Sequence, residues 1–373
     1  MFPTEPTSLP SQVLLNPAWS TPQVVSAPTG RAVTPVVIPG RDGVVHLLWE
    51  QNGRVHHALR REDKWSTPRS VATGQQPAGG LTPDGALHAV FSNEFAGKHN
   101  IFHVAWVNGV WSLPRLVSKT PGMSSSPSLA VDRAGGVHAV WADTSPGFSV
   151  IYYGWLQNTW LNEPLSNARG AAPVLALDGA DETLHVAYQA SGVGAPQREI
   201  HHLQGRRYQW SLPENLSQSP NEESLEVAMA CAPDGSVHLA WQEHVGEMAH
   251  IRYVSGRQGA WHAPQTVSDP AVDSREPRLA ITQERQLSMV WRSSDTLHTV
   301  RRELPAGVWL PPRPLVMNAG GLDGQDLAGA PAGELHLTWS GWESNSQRAI
   351  FHSEHGPLNR PKVFLPGVVV GGR

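Results

Sequence analysis

Histidine is the side chain here best suited to chemistry, because it can carry a proton or a metal near neutral pH, and the chain has 18 of them. One, His138, sits in the phrase GGVHAVW (135–141), where it is either a catalytic group or a strut of the fold. A second stretch, EHVGEMAH (243–250), places Glu243, His244, Glu247 and His250 on one loop that could offer ligands to a cation. Its spacing matches no H-E-x-x-H pattern, so a solvated hairpin tip is the expectation. Glycoside hydrolysis needs two carboxylates across a cleft, and Glu243 with Asp143 is the candidate pair. G-x-S-x-G, P-loop and dinucleotide-binding patterns are missing. The single cysteine, Cys231, excludes an internal disulfide and a cysteine-rich metal site. No metal and no cofactor is expected.

The element that positions His138 is a strand, and it is repeated. GVVHLLW (43–49), GALHAVF (85–91), ETLHVAY (182–188), GSVHLAW (235–241), RQLSMVW (285–291) and GELHLTW (333–339) are copies of the same phrase. From His46 the steps run 42, 50, 47, 53, 50 and 48 residues, with Ser288 in the one place that lacks a histidine. A second phrase, of the type WSTPRSVA (65–72) or WSLPRLVS (111–118), keeps the same beat. Its first copy starts at Trp19 and its weak last copy is LNRPKVFL (358–365). Each unit reads as four short strands. An inner strand a carries small residues (Gly80, Ala130, Ala176, Ala230, Ala280, Ala328). Strand b carries the histidine. Strand c shows an [Ile/Val/Leu]-x-[His/Tyr] pattern. Strand d holds a proline that only an edge strand tolerates. Four strands every ~50 residues is the period of a propeller blade. The expected fold is all-β: a seven-bladed β-propeller of four-stranded antiparallel blades over residues 18–366, with the N-terminal strand closing the ring on the last blade. Residues 1–17 are expected to be a flexible leader and 367–373 a tail.

Repetition separates scaffold from surplus. Seven tryptophans begin strand d, five end strand b, and only Trp106, Trp155 and Trp342 have no repeat role. Thirteen of the eighteen histidines occupy repeat positions. Neighbouring strand residues face opposite ways, so His56–His57 and His201–His202 cannot each clamp one ion. The repeated histidines are therefore expected to hydrogen-bond a neighbouring strand or blade.

The phrases D-x-G-x-[VL]-H-x-x-W and W-S-x-P-x-x-[VL]-S resemble the sialidase-like (BNR-type) repeat propellers widespread in bacteria. The plan is also similar to that of seven-bladed propeller lectins, which bind sugars between blades. The resemblance implies fold first. Sialidase activity would need Asp boxes, an arginine triad, a tyrosine–glutamate pair and an aspartate acid/base. The nearest approach to an Asp box, SGRQGAW (255–261), has Arg257 where the aspartate should stand. Tyr152, Tyr153, Tyr188 and Tyr253 all sit on repeat positions, leaving Tyr208 alone. No enzyme is expected.

Function is expected where the repeat breaks down, on the face shared by the b–c and d–a loops. The candidate ligand-binding residues are Asp143, Phe148, Glu243, His244, Arg275, Arg292, Trp342, Glu343 and Asn345. An exposed indole beside polar groups suits sugar stacking or a protein hot spot. The expected ligand is a glycan, with a protein partner as the alternative and a divergent sialidase-like hydrolase as the third reading. The formal net charge of −4, with no basic stripe, gives nucleic acid no footprint. No run of 18 apolar residues suggests membrane insertion. A monomer, or a part of a larger assembly, is expected. MFPTEPTSLPSQVLL lacks the basic and apolar regions of a signal peptide. The protein is therefore expected to be cytoplasmic if the chain is complete, or a piece of a longer exported protein.

Overall fold

The computed structural model describes residues 13–14 and 18–356, apart from short stretches at 42, 166–168, 181, 192–196, 284, 306, 318–320 and 345–346. The described residues are all-β, with no helix, and form seven antiparallel sheets. The blades begin with strand a at Ala32, Gln75, Ser124, Ala171, Glu223, Arg275 and Gln325. Blade 3 shows the plan: Ser124–Val131, Val137–Asp143, Val150–Leu156 and Trp160–Pro164 pair in that order.

The strand d phrase explains itself once it is folded. In blades 1, 2, 4 and 5 the proline splits strand d into two short pieces, such as Lys64–Trp65 and Arg69–Thr73. A proline offers no N–H, and the break strands donors on strand c. Serine hydroxyls take them over. Ser66 Oγ accepts the Leu59 N–H at 3.0 Å, and at the far end of the phrase Ser118 Oγ accepts that of Ile101 at 2.9 Å. Ser217 and Ser268 repeat the second bond to Ile200 and Ile251.

The histidines form a buried dyad in almost every blade. His46 Nδ1 lies 3.0 Å from His57 Nε2, and His88–His103, His185–His202 and His336–His352 repeat this at 2.9, 3.0 and 3.1 Å. In blades 3 and 5 a tyrosine replaces the second histidine, with Tyr153 Oη 2.8 Å from His138 and Tyr253 Oη 2.6 Å from His238. Blade 6 has Ser288 and Thr299 at these places in the same register, Thr299 opposite Val290 as His57 is opposite Leu48. The strand d tryptophan of the following blade then meets the dyad edge-on: Trp111 on His57 at 5.2 Å, Trp160 on His103 at 5.3 Å, Trp261 on His202 at 4.8 Å. The small strand a residues face these histidines directly, Ala130 opposite His138 and Gly80 opposite His88. A side chain on Gly80 would come within 3.0–3.1 Å of Leu129 and Val131 of the next blade. Smallness at this position thus serves both the imidazole and the crowding near the axis.

The core lies between blades. Val90, Ile101 and Val117 of blade 2 pack with Leu129, Val137, Trp141 and Trp160 of blade 3. Trp49, Trp141, Trp241, Trp291 and Trp339 are fully buried, each worth ~2–3 kcal/mol of burial. Ring closure follows the expectation: Gln23–Val24 pairs with Gln347–His355 as the outer strand of blade 7. The competing copy at 358–365 lies outside the described residues. Within the span expected as a leader, Val13–Leu14 forms a two-residue strand on Arg313–Met317 of blade 6.

Candidate functional site

Strand a carries a feature the sequence reading did not single out. In six blades a residue two to four places into the strand takes a left-handed backbone: Thr34, Gln76, Ser126, Ala172, Glu226 and Glu276, with φ between 46° and 55°. Each makes a bulge that shifts the register to strand b. A proline follows in five of the six, which the unpaired inner edge of the sheet allows. The amides at these bulges are secured by the preceding blade. Gln189 Oε1 accepts the Glu226 N–H at 3.3 Å, Gln242 Oε1 that of Glu276 at 3.0 Å, and the Glu50 carboxylate that of Gln76. Residues just after the strand b aromatic, which follow no consensus, are therefore partly latches between blades.

Two expected ligand carboxylates prove to be internal. Asp143 is fully buried; it accepts from Thr120 Oγ1 at 2.6 Å, Ser124 Oγ at 2.7 Å and the Ser145 N–H at 2.9 Å. Those bonds fill its lone pairs and fix the b–c loop of blade 3, leaving nothing for a ligand. Glu243 is buried and lies 3.1 Å from Arg252 Nε on the neighbouring strand. The two acids do not share a cleft. Phe148 is half-buried beneath the Arg169 guanidinium, 5.6 Å from its ring centroid.

The remaining candidates converge. Arg275 and Arg292 stand opposite each other on strands a and b of blade 6. They line a 670 Å³ cleft with Asp273, Ser293, Thr296 and His298. Asp273 holds Arg275 at 2.8 Å, and Glu276 holds Arg292 at 2.7 Å. Burial works against the charge on Arg292, but the bond to Glu276 and the charges of Glu276, Asp273 and Asp323 together outweigh it and raise its pKa. His244 Nε2 lies 3.1 Å from Gln242 Nε2. Asp323, in the loop before strand a of blade 7, is also felt by Arg292 and is gripped from two sides by Arg31 and by Arg348 at 3.2 Å. The Arg348 guanidinium covers one face of Trp342, 4.8 Å from the ring centroid. Trp342 remains 37% exposed at the b–c hairpin of blade 7, beside exposed Glu343. Asn345 lies outside the described residues.

The result is a crescent over blades 5, 6, 7 and 1 in which guanidinium and carboxylate groups alternate and one indole stands open. Trp155, the second surplus tryptophan, is buried against Tyr153. Trp106, the third, packs edge-on to His46 at 5.2 Å. Sequence reasoning missed Arg31, Asp273, Asp323 and Arg348, which lie in loops or strands with no repeated phrase to mark them. A smaller pocket of 350 Å³ adjoins Asp323 and includes Arg31, Thr34, Glu50, Asn52 and Gln76. Burial raises the Glu50 carboxyl above its ordinary value, against the opposing pull of the Gln76 amide and Arg31. A cavity of 1030 Å³ is on the other face, among the a–b turns of blades 1, 2 and 3.

No protein-family model matches the chain, and no curated protein is significantly similar to it. Solved structures are. A polysaccharide lyase, the PL25 ulvan lyase bound to -[GlcA(1-4)Rha3S]-, superposes with a TM-score of 0.63 at 11% identity, over 88% of this chain and 95% of that one. A mutant of the NanB sialidase from Streptococcus pneumoniae gives 0.50 at 11% identity, over 88% and 70%. A mutant of the Aleuria aurantia lectin, in complex with α-methyl-L-fucoside, gives 0.50 at 10% identity, over 79% and 98%. The chain thus shares its propeller fold with sialidases, a polysaccharide lyase and a lectin.

Proposed function

We propose that this propeller is a non-catalytic carbohydrate-binding module and that the crescent on the b–c face is its binding surface. The observation that carries the reading is Trp342: a half-open indole under the Arg348 guanidinium, on the same face as two ion pairs, Arg348–Asp323 and Arg292–Glu276. A sugar ring offers an apolar C–H face and a rim of hydroxyls. An indole takes the first by stacking. Guanidinium donors and carboxylate acceptors take the second, since each hydroxyl both gives and accepts a hydrogen bond. Because every cation in the crescent is already matched by an acid, the surface suits a neutral polyol. The lyase and the lectin of similar fold are both described in complex with saccharides.

A specific observation favours a second reading, a divergent glycoside hydrolase. Glu50 has the raised carboxyl pKa that a general acid needs, and Asp323, close enough to contribute to that shift, lies in the same pocket. One experiment separates the two. The protein is screened on a glycan array, and a hit is titrated calorimetrically with the wild type and Trp342→Ala. Trp342→Ala is expected to weaken binding by about tenfold or more, the usual cost of a stacking anchor. Unchanged affinity, or a blank array with folded protein, contradicts the binding reading. Turnover of a glycoside that Glu50→Gln abolishes establishes the hydrolase instead.

A further inference from the structure

The cavity on the opposite face is built from parts the crescent does not use. Its lining includes Arg41 and Arg61 of blade 1, Trp106 of blade 2 and Arg133 of blade 3. The carboxylates that share it are committed to their own turns. Asp132 accepts the Gly136 N–H at 2.6 Å and lies 3.2 Å from His138 Nε2, and Asp84 accepts from Thr82 Oγ1. Arg133 is likewise engaged, by the Gly179 carbonyl and Glu182. Arg41 and Arg61, both exposed, have no carboxylate partner among the described residues. Arg61 also stands directly opposite Lys64 across the strand pair. Like charges in that position destabilise a sheet, and an anion bound between the strands and the turn relieves the repulsion. Trp106 has no place in the repeat, and its half-buried ring forms an aromatic wall of the same cavity.

We propose that this cleft is a second binding site, for an anionic saccharide unit whose charged group is held by Arg41 and Arg61 while its ring packs on Trp106. The proposal rests on the reading of the propeller as a saccharide binder only in the nature of the ring; the charge requirement stands by itself. An anionic group on a ring differs from a free inorganic anion in needing both the arginines and the indole. The two faces are opposite in chemistry: matched ion pairs around Trp342, unmatched cations around Trp106.

The test titrates the full chain calorimetrically with methyl β-D-glucuronide, methyl β-D-glucoside and inorganic sulfate, at low and at raised salt. Glucuronide is expected to bind with salt-sensitive affinity. Arg41→Gln and Arg61→Gln are each expected to weaken it about tenfold, the scale of one charge-assisted hydrogen bond. Trp106→Leu is expected to weaken glucuronide and leave sulfate unchanged. Arg41 and Arg61 lie on the face opposite the crescent, so a loss of glucuronide binding in their variants separates this site from the crescent. Both arginines are exposed, so their variants keep the fold, and an unchanged melting temperature verifies this. Equal binding of glucoside and glucuronide overturns the proposal. So does sulfate binding as tightly as glucuronide, or an affinity that Arg61→Gln does not alter.

Discussion

A buried imidazole is tolerated only while it is neutral and hydrogen-bonded. Burial lowers the pKa of His46, His238 and His336 to about 4, that of His57, His103 and His202 to about 3, and that of His352 to about 2. The unfolded chain binds the same protons near 6.5. Stability is therefore present in full above pH 6.5 and is lost as pH falls from there toward the folded values. At pH 5 each such histidine costs about 2 kcal/mol. Several together rival the ~5–15 kcal/mol that holds a domain folded. Scanning calorimetry is expected to show the melting temperature falling steeply between pH 6.5 and 4.5, and a flat profile over that range contradicts the dyad account. The roles of these residues were legible in the sequence because repetition is itself evidence: six equivalent histidines and one serine serve blades, not one active site. The role of Asp143 was not legible. Its partners Thr120 and Ser124 lie some twenty residues upstream, beyond any local pattern.

At the scale of the elements, each repeated phrase encodes a strand together with its repair. The tryptophan of strand d fits the previous blade's dyad, the proline ends regular pairing, and the serines collect the stranded N–H groups. The bulge of strand a is half-written in the sequence. A proline marks five of the six bulges, but the blade beginning at Glu223 makes the same turn at Glu226 with Val227 after it. What holds that conformation is a side chain of another blade, which no local propensity registers. Gln242→Ala leaves the Glu276 N–H without its acceptor and is expected to cost about 1–2 kcal/mol. Urea denaturation measures the loss, and Gln242→Glu, which keeps an acceptor oxygen, is expected to recover part of it. A stability equal to wild type in both variants removes the latch.

At the scale of the whole molecule, the ring is closed by residues more than 300 positions apart. The Val25 N–H donates to the Ile350 carbonyl at 2.8 Å, the Ile350 N–H donates to Ser26 Oγ at 3.0 Å, and Trp19 is buried against Phe351 and its neighbours. Deleting residues 1–26 removes Trp19 and Val25, uncovers the edge of Gln347–His355 and exposes to water the apolar groups those two side chains cover. The expected loss is on the order of 4 kcal/mol from burial alone, read as a lower urea midpoint. An unchanged midpoint means that another segment closes blade 7. Closure of this kind was legible from Trp19, because the strand d phrase that it opens is intact where the competing copy at 358–365 is weak.

The sequence by itself determined the number of blades, the order of their strands and which aromatic and imidazole groups are scaffold. These follow from period, strand alternation and proline placement, all local properties that repetition amplifies. Only the tertiary structure decided which charges meet. Arg31, Asp323 and Arg348 join across the closure, Arg275 and Arg292 share a cleft, and Arg41 and Arg61 line one cavity on the far face. The physical reason is that loop side chains obey no period. Their neighbours are set by the curvature of the ring, which brings together residues from different repeats.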